Sequence, residues 1–112
     1  MTLFERIAAG EIPADIVHRD DEVVAFRDIN PQAPVHILIV PLRHISRVGD
    51  ADEGDADLLG RLLLAAAKIA DAEGVASTGY RLVINNGPHA GESVPHLHVH
   101  LLGGRPLDWP PG

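Results

Sequence analysis

At 112 residues, with a net charge of −7 and no cysteine, the chain has material for one hydrophobic core and none for a disulfide framework or thiolate site. Phosphate-backbone affinity comes from massed Lys and Arg, so the acidic balance argues against a general nucleic-acid binder. No stretch approaches the roughly 18 continuous apolar residues of a membrane span, and residues 1–15 carry Glu5, Arg6, Glu11 and Asp15 in place of a signal-peptide run. The expectation is a cytoplasmic protein, not bound to membrane, with residues 1–112 as one domain.

Thr2 is placed to cap a short helix whose Leu3, Phe4 and Ile7 share a face, and Gly10 stops it. Pro13 sets a turn before a short strand at Ile16-Val17-His18. Asp20-Asp21 reads as a hairpin turn into a second strand over residues 22–28. After the loop Asn30-Pro31-Gln32-Ala33-Pro34, residues 35–40 are apolar on both faces apart from His36, the mark of a central strand that Pro41 closes. Residues 55–73 predict the long helix: Asp52, Glu53, Asp55 and Asp57 crowd its positive end and Gly74 stops it. Leu58, Leu59, Leu62, Leu63 and Leu64, with Ala65, Ala66, Ala67, Ile69 and Ala70, make an apolar band wider than one face. Such a helix buries one side on its own sheet and another in a partner; the alternative is a surface helix rich in a good helix former. A strand over residues 80–85, a loop over 86–95 and a strand from His96 to Leu102 follow. The tail from Arg105 is proline-rich and holds the only tryptophan, Trp109. Strands in succession with two helices make the class α+β with an antiparallel sheet.

The stretch His96-Leu97-His98-Val99-His100 concentrates the chemistry. Strand alternation sends the three imidazoles to one face and Leu97, Val99 and Leu101 to the other. Burying three imidazoles without dedicated partners is costly, so a bystander role, adequate for His18, His44 and His89, fits them poorly. A metal site is one reading, since imidazole is the commonest zinc ligand. Yet His96 and His100 sit about 13 Å apart by strand rise, while ligating nitrogens must lie about 2 Å from one ion. No Asp or Glu stands at a recognisable ligand spacing, and His36 from another strand would have to join. The stronger reading is nucleophilic and acid–base chemistry on phosphorus, with one neutral imidazole attacking and its neighbours fixing tautomers and moving protons. The loop before the strand supplies a phosphate cradle: Gly91 permits close backbone approach, Ser93 brings a hydroxyl, and successive N–H groups form an anion nest.

The run His96-Leu97-His98-Val99-His100-Leu101-Leu102 matches the histidine-triad signature at every position, and the chain resembles the Hint branch of the histidine triad (HIT) superfamily over nearly its whole length. Phe4, Glu11-Ile12-Pro13-Ala14, Phe26-Arg27-Asp28-Ile29, Pro31-Gln32-Ala33-Pro34 with His36, Pro41, His44-Ile45, Gly103-Gly104-Arg105 and the ending Trp109-Pro110-Pro111-Gly112 carry the likeness. The resemblance implies a HIT-like fold: a five-stranded antiparallel sheet with one long and one short helix, in a homodimer whose two sheets join into one. It implies hydrolysis of purine nucleoside 5′-phosphoramidates, of the AMP-amine and AMP-lysine type, without metal or other cofactor. His98 would attack the α-phosphorus and form a nucleotidyl-histidine that water hydrolyses. His100 and His96 would hold and polarise the phosphate, with His36 in the same network. Asn85, Gly91, Ser93 and Val94 would line the phosphate region, with Ser93 near the leaving group. Asp28 would bind the ribose hydroxyls; Leu3, Phe4, Ile7, Phe26, Ile29 and Leu38 would form the purine slot; and Trp109 would reach the partner's site.

Two positions depart from the branch. Glu92 stands where glutamine is frequent, and a carboxylate there repels phosphate unless it faces away. Pro95 is more typical of the dinucleoside-polyphosphate hydrolase branch. Hydrolysis of dinucleoside polyphosphates is therefore an alternative activity, and a nucleotide-binding regulator whose role is not catalytic is an alternative of another class.

Overall fold

The computed structural model describes residues 1–112. Strands β1 (Ile16–Arg19), β2 (Val23–Arg27), β3 (Val35–Pro41), β4 (Tyr80–Val83) and β5 (Val99–Gly103) form one sheet in the order β1-β2-β3-β5-β4, every pair antiparallel. Helix α1 (Leu3–Ala8) precedes the sheet and α2 (Ala56–Ala72) connects β3 to β4. No helix is long and apolar enough to cross a membrane.

Alternation along the central strands divides the molecule into two apolar layers. Ile37 and Ile39 of β3, Val23 and Ala25 of β2, and Val99 and Leu101 of β5 face α2, where Leu58, Leu62, Ala65, Ala66, Ile69 and Ala70 complete the larger core. On the opposite face Val24, Phe26, Leu38 and Val40 pack with Phe4 and Ile7 of α1. His100 stands opposite Leu38 in the β3–β5 ladder, so it belongs to this second face, as does His36 two residues before Leu38.

The helix ends follow local chemistry. Thr2 Oγ1 accepts the Glu5 N–H at 3.1 Å while Glu5 Oε1 accepts the Thr2 N–H at 3.0 Å, a reciprocal cap. Asp52 caps a 3-10 turn (Glu53–Asp55) that leads into α2, so the α-helix starts at Ala56 and not Asp55. Gly74, at φ +77°, takes the left-handed conformation that lets the chain leave α2. Of the wide apolar band on α2, Leu63 and Leu64 remain exposed.

Two strands are shorter than the sequence predicts. β4 ends at Val83, leaving Ile84 and Asn85 outside it. β5 begins at Val99, so His96 and His98 precede the regular ladder. The register gives the reason: Ile39 pairs with Val99, and continuing it would set Leu97 against Pro41, which has no N–H to donate. Leu97 turns to another partner and donates its N–H to the Ile45 carbonyl at 2.7 Å. The alternation survives this change, since Leu97 stays in the α2-side core while His98 faces the α1 side.

Candidate active site

A cavity of about 250 Å³ opens on the α1 side of the sheet. Leu3, Phe4 and Ile7 of α1 form one wall, and Ile12, Pro13 and Ala14 continue it. Phe26 and Leu38 form the floor, Asp28 and the 96% exposed Ile29 stand at the rim, and Ser93, Val94, His98 and His100 close the polar end. All six residues of the expected apolar slot are therefore gathered in one place. Ile12, Pro13, Ala14 and Arg27 join it; the prolyl turn is the only local signal for the first three, and Arg27 enters as the last residue of β2.

Hydrogen-bond partners assign the tautomers at the polar end. His98 Nδ1 lies 2.6 Å from the His96 carbonyl oxygen, an acceptor only, so Nδ1 holds the proton and Nε2 holds the lone pair. His36 Nδ1 accepts the Gln32 N–H at 3.0 Å, which places the His36 proton on Nε2. That proton is donated to His100 Nδ1 at 2.9 Å, so the His100 proton sits on its own Nε2. Burial, followed by the neighbouring His98 and His36, pushes the His100 pKa down to about 4. Burial also lowers His36, against the Asp28 carboxylate, whose Oδ2 is 3.5 Å from His36 Nε2. At neutral pH the His36–His100 pair is uncharged with a directed proton order, and His100 is its member on the cavity.

His96 departs from its expected role. It is 1% exposed, its Nε2 donates to the Pro41 carbonyl at 2.9 Å, and its Nδ1 lies 3.0 Å from Thr2 Oγ1. Both ring nitrogens are engaged by protein groups, and the ring does not line the cavity.

The loop before the triad is likewise built differently from a row of free donors. The N–H groups of Ala90 and Glu92 go to the Gly87 carbonyl, and that of Gly91 goes to Pro88. These bonds close a turn that ends on Gly91 at φ +84°, leaving Ser93 and Val94 as the loop residues on the cavity. Glu92 faces away from it: Arg47 Nε and Nη2 meet its two carboxylate oxygens at 2.9 and 3.1 Å. Hydrogen bonding from Arg47 holds the Glu92 carboxyl below its ordinary range. Arg47 had no signal in the sequence, since its partner lies 45 positions away.

Asn85 and Gly91 do not line the cavity within this chain. Trp109 is 81% exposed, and its ring lies 5.9 Å beneath the Arg81 guanidinium, also away from the cavity. The fold does bring carboxylates to the histidines, contrary to the linear spacing. Donor atoms of Asp28, His36 and His100 converge within 4.8 Å, as do those of Glu5, His44 and His96. In the first group a proton shared between His36 and His100 occupies the space between the donors. In the second, His44 Nε2 donates to the Pro95 carbonyl at 2.9 Å and His96 is engaged as described. These are the two places where residues of this chain could hold an ion.

Comparison with known proteins agrees with this architecture. A family model of the HIT domain matches residues 9–107. The purine nucleoside phosphoramidase of Escherichia coli (strain K12) is 55% identical, over 95% of this chain and 89% of that protein. The adenylylsulfatase HINT1 of Arabidopsis thaliana is 50% identical, over 99% of this chain and 76% of that protein. The crystal structure of a HIT family hydrolase from Legionella pneumophila Philadelphia 1 superimposes with a TM-score of 0.98 at 51% identity, over 100% of both chains. The chain belongs to the HIT domain family.

Proposed function

We propose that this protein is a nucleotide-binding hydrolase that cleaves the P–N bond of purine nucleoside 5′-phosphoramidates. One observation carries the reading: His98 has its Nδ1–H tied to a backbone carbonyl, so its Nε2 lone pair is available beside a neutral His100, at the polar end of an apolar slot rimmed by a carboxylate. The Nε2 lone pair attacks the α-phosphorus and the P–N bond breaks, the departing nitrogen taking a proton from solvent so that it leaves as the amine, and the water of the next step returns that proton. Water then attacks the nucleotidyl-histidine, releasing the nucleoside monophosphate and regenerating the imidazole. The His100 Nε2–H, set by the His36 relay, hydrogen-bonds a phosphate oxygen, and His36 keeps that tautomer in place. Ser93 stands at the leaving-group side, with Val94 beside it at the phosphate and Gly91 shaping the loop, while Leu3, Phe4, Ile7, Phe26, Ile29 and Leu38 hold the purine. The Asp28 carboxylate accepts from the ribose hydroxyls.

The reading includes a homodimer. Leu63 and Leu64 leave an apolar face on α2, and β4 is a half-buried edge strand; a second copy covers both and lets Trp109 approach the neighbouring cavity. A cytoplasmic setting suits a chain without cysteine.

A second reading uses the same nucleophile on an anhydride, a dinucleoside polyphosphate or adenylyl sulfate. It is favoured by Pro95 and by the named activity of the Arabidopsis relative. The test is steady-state hydrolysis of adenosine 5′-phosphoramidate carrying a reporter amine, beside diadenosine triphosphate and adenylyl sulfate, for wild type and His98→Ala. Higher kcat/KM on the phosphoramidate, lost by at least about 10³-fold in the folded variant, is the expected result. Preference for an anhydride selects the second reading. Tight AMP binding with no turnover on any of them overturns both and leaves a nucleotide-binding regulator.

A further inference from the structure

A polar chain joins the first turn of α1 to the histidine segment. The Glu5 N–H donates to Thr2 Oγ1, and Oγ1 lies 3.0 Å from His96 Nδ1. Because His96 Nε2 faces the Pro41 carbonyl, that nitrogen holds the ring proton, and Nδ1 offers a lone pair to the Thr2 hydroxyl. The order is directional from end to end, with no donor facing a donor. The ring it ends on is buried and held below the ordinary histidine range by that burial.

Helix α1 has six residues, far fewer than a helix needs to persist in water, so its position depends on what it is fastened to. Phe4 and Ile7 fasten it through apolar burial, which is not directional. The Thr2–His96 bond, spanning 94 positions of sequence, fixes its first turn in one place. That helix is one wall of the cavity. The Phe4 ring meets His98 edge-on at 4.9 Å between centroids, His96 at 5.8 Å and Phe26 at 5.5 Å. A shift of α1 changes the width of the slot, whereas His98 keeps its own anchor on the backbone.

We propose that Thr2 and His96 form a latch that fixes the apolar wall of the cavity to the histidine segment, so that His96 governs affinity for the nucleobase and not the chemistry at phosphorus. Both are positioning residues. The latch rests on the nucleotide reading only for the identity of the ligand, and its mechanical part stands apart from it.

The test compares Thr2→Gly with Thr2→Ser. Glycine is a competent helix N-cap but has no hydroxyl, so it removes the latch and spares most of the cap; serine restores the hydroxyl. AMP and ribose 5-phosphate are titrated by calorimetry, and KM and kcat are measured on the adenosine phosphoramidate. Thr2→Gly is expected to weaken AMP and raise KM by about tenfold, the loss of one half-buried hydrogen bond, with kcat within about twofold. Ribose 5-phosphate, which lacks the base, binds all three proteins alike, and Thr2→Ser matches wild type. An equal loss for both ligands, or a loss in kcat alone, overturns the proposal. So does unchanged AMP affinity in Thr2→Gly. Hydrogen exchange of the α1 amides separates this from a failure of the nucleotide reading. Should wild type bind AMP no better than ribose 5-phosphate, faster α1 exchange in Thr2→Gly that Thr2→Ser reverses still supports the latch, and unchanged exchange overturns it.

Discussion

His36, His96 and His100 are neutral at pH 7 because burial penalises their charged forms, in His100 down to a pKa of about 4. An unfolded chain takes up the same protons near pH 6.5, so below that pH the unfolded state binds more protons than the folded one. Folding stability is then complete above about pH 6.5 and falls as pH drops toward 4, by up to about 3 kcal/mol for His100 alone. Urea midpoints measured at pH 7, 6, 5 and 4.5 are expected to decline steadily, and His100→Gln to flatten the decline. A midpoint constant from pH 7 to 4.5 would show that the histidines titrate equally in both states. The carboxylates of Glu5, Asp20, Asp55 and Glu92, which hydrogen bonds hold below their ordinary range, destabilise the fold only at lower pH. At this scale the alternation of His98 and His100 with Leu97 and Val99 was legible, because the strand period alone sets it. The partner of each ring nitrogen was not legible: Gln32, Thr2, Pro41 and the His96 carbonyl become neighbours only through the fold.

The loop before the triad is the element whose hydrogen bonds differ most from a row of free donors. Its serine reaches the cavity and its glycine closes the turn, but the N–H groups expected to form a nest are mostly spent on closing that turn. Glu92, a source of repulsion on paper, is instead held by Arg47, which also meets Asp50 at 2.9 Å. This pair makes a direct prediction. Glu92→Gln is expected to leave AMP affinity within about twofold, since an already paired carboxylate contributes little net field. Arg47→Ala, which releases that carboxylate beside His98, is expected to weaken AMP by several-fold at low salt and less at high salt. Tighter AMP binding by tenfold in Glu92→Gln, read by calorimetry, would mean the carboxylate opposes the phosphate even when paired. The elements the sequence placed best were α1 and α2, because caps, glycine stops and a 3.6-residue period are local. The ends of β4 and β5 were placed worst, because a ladder stops where its partner stops, as β5 does opposite Pro41.

For the whole molecule, the exposed leucines of α2 decide whether the chain is complete alone. Leu64 is 66% exposed in a helix whose other side is already full, and burying such a residue in a partner is worth about 2 kcal/mol per copy. Light scattering is expected to return twice the 12.0 kDa chain mass for wild type and a single chain for Leu64→Glu. Because Trp109 lies away from the cavity of its own chain, the same variant is expected to alter leaving-group preference while AMP still binds. A wild-type protein that scatters as one chain would remove the dimer and with it any role for Trp109 in a neighbouring site.

What the sequence by itself determined is the chemistry and the local order: an α+β class, the two helices, a central strand interrupted by His36, and imidazoles alternating with aliphatic residues. Each follows from spacings of two to four residues, which short-range geometry converts directly into faces and caps. Only the tertiary structure decided which group each histidine nitrogen faces. Proton positions depend on the donor or acceptor opposite each nitrogen, and those partners come from residues 4, 64 and 94 positions away or from backbone carbonyls that no side-chain pattern reveals. The three residues of the triad look equivalent in the sequence. In the fold one presents a lone pair, one presents a proton, and the third is locked to the helix that walls the cavity.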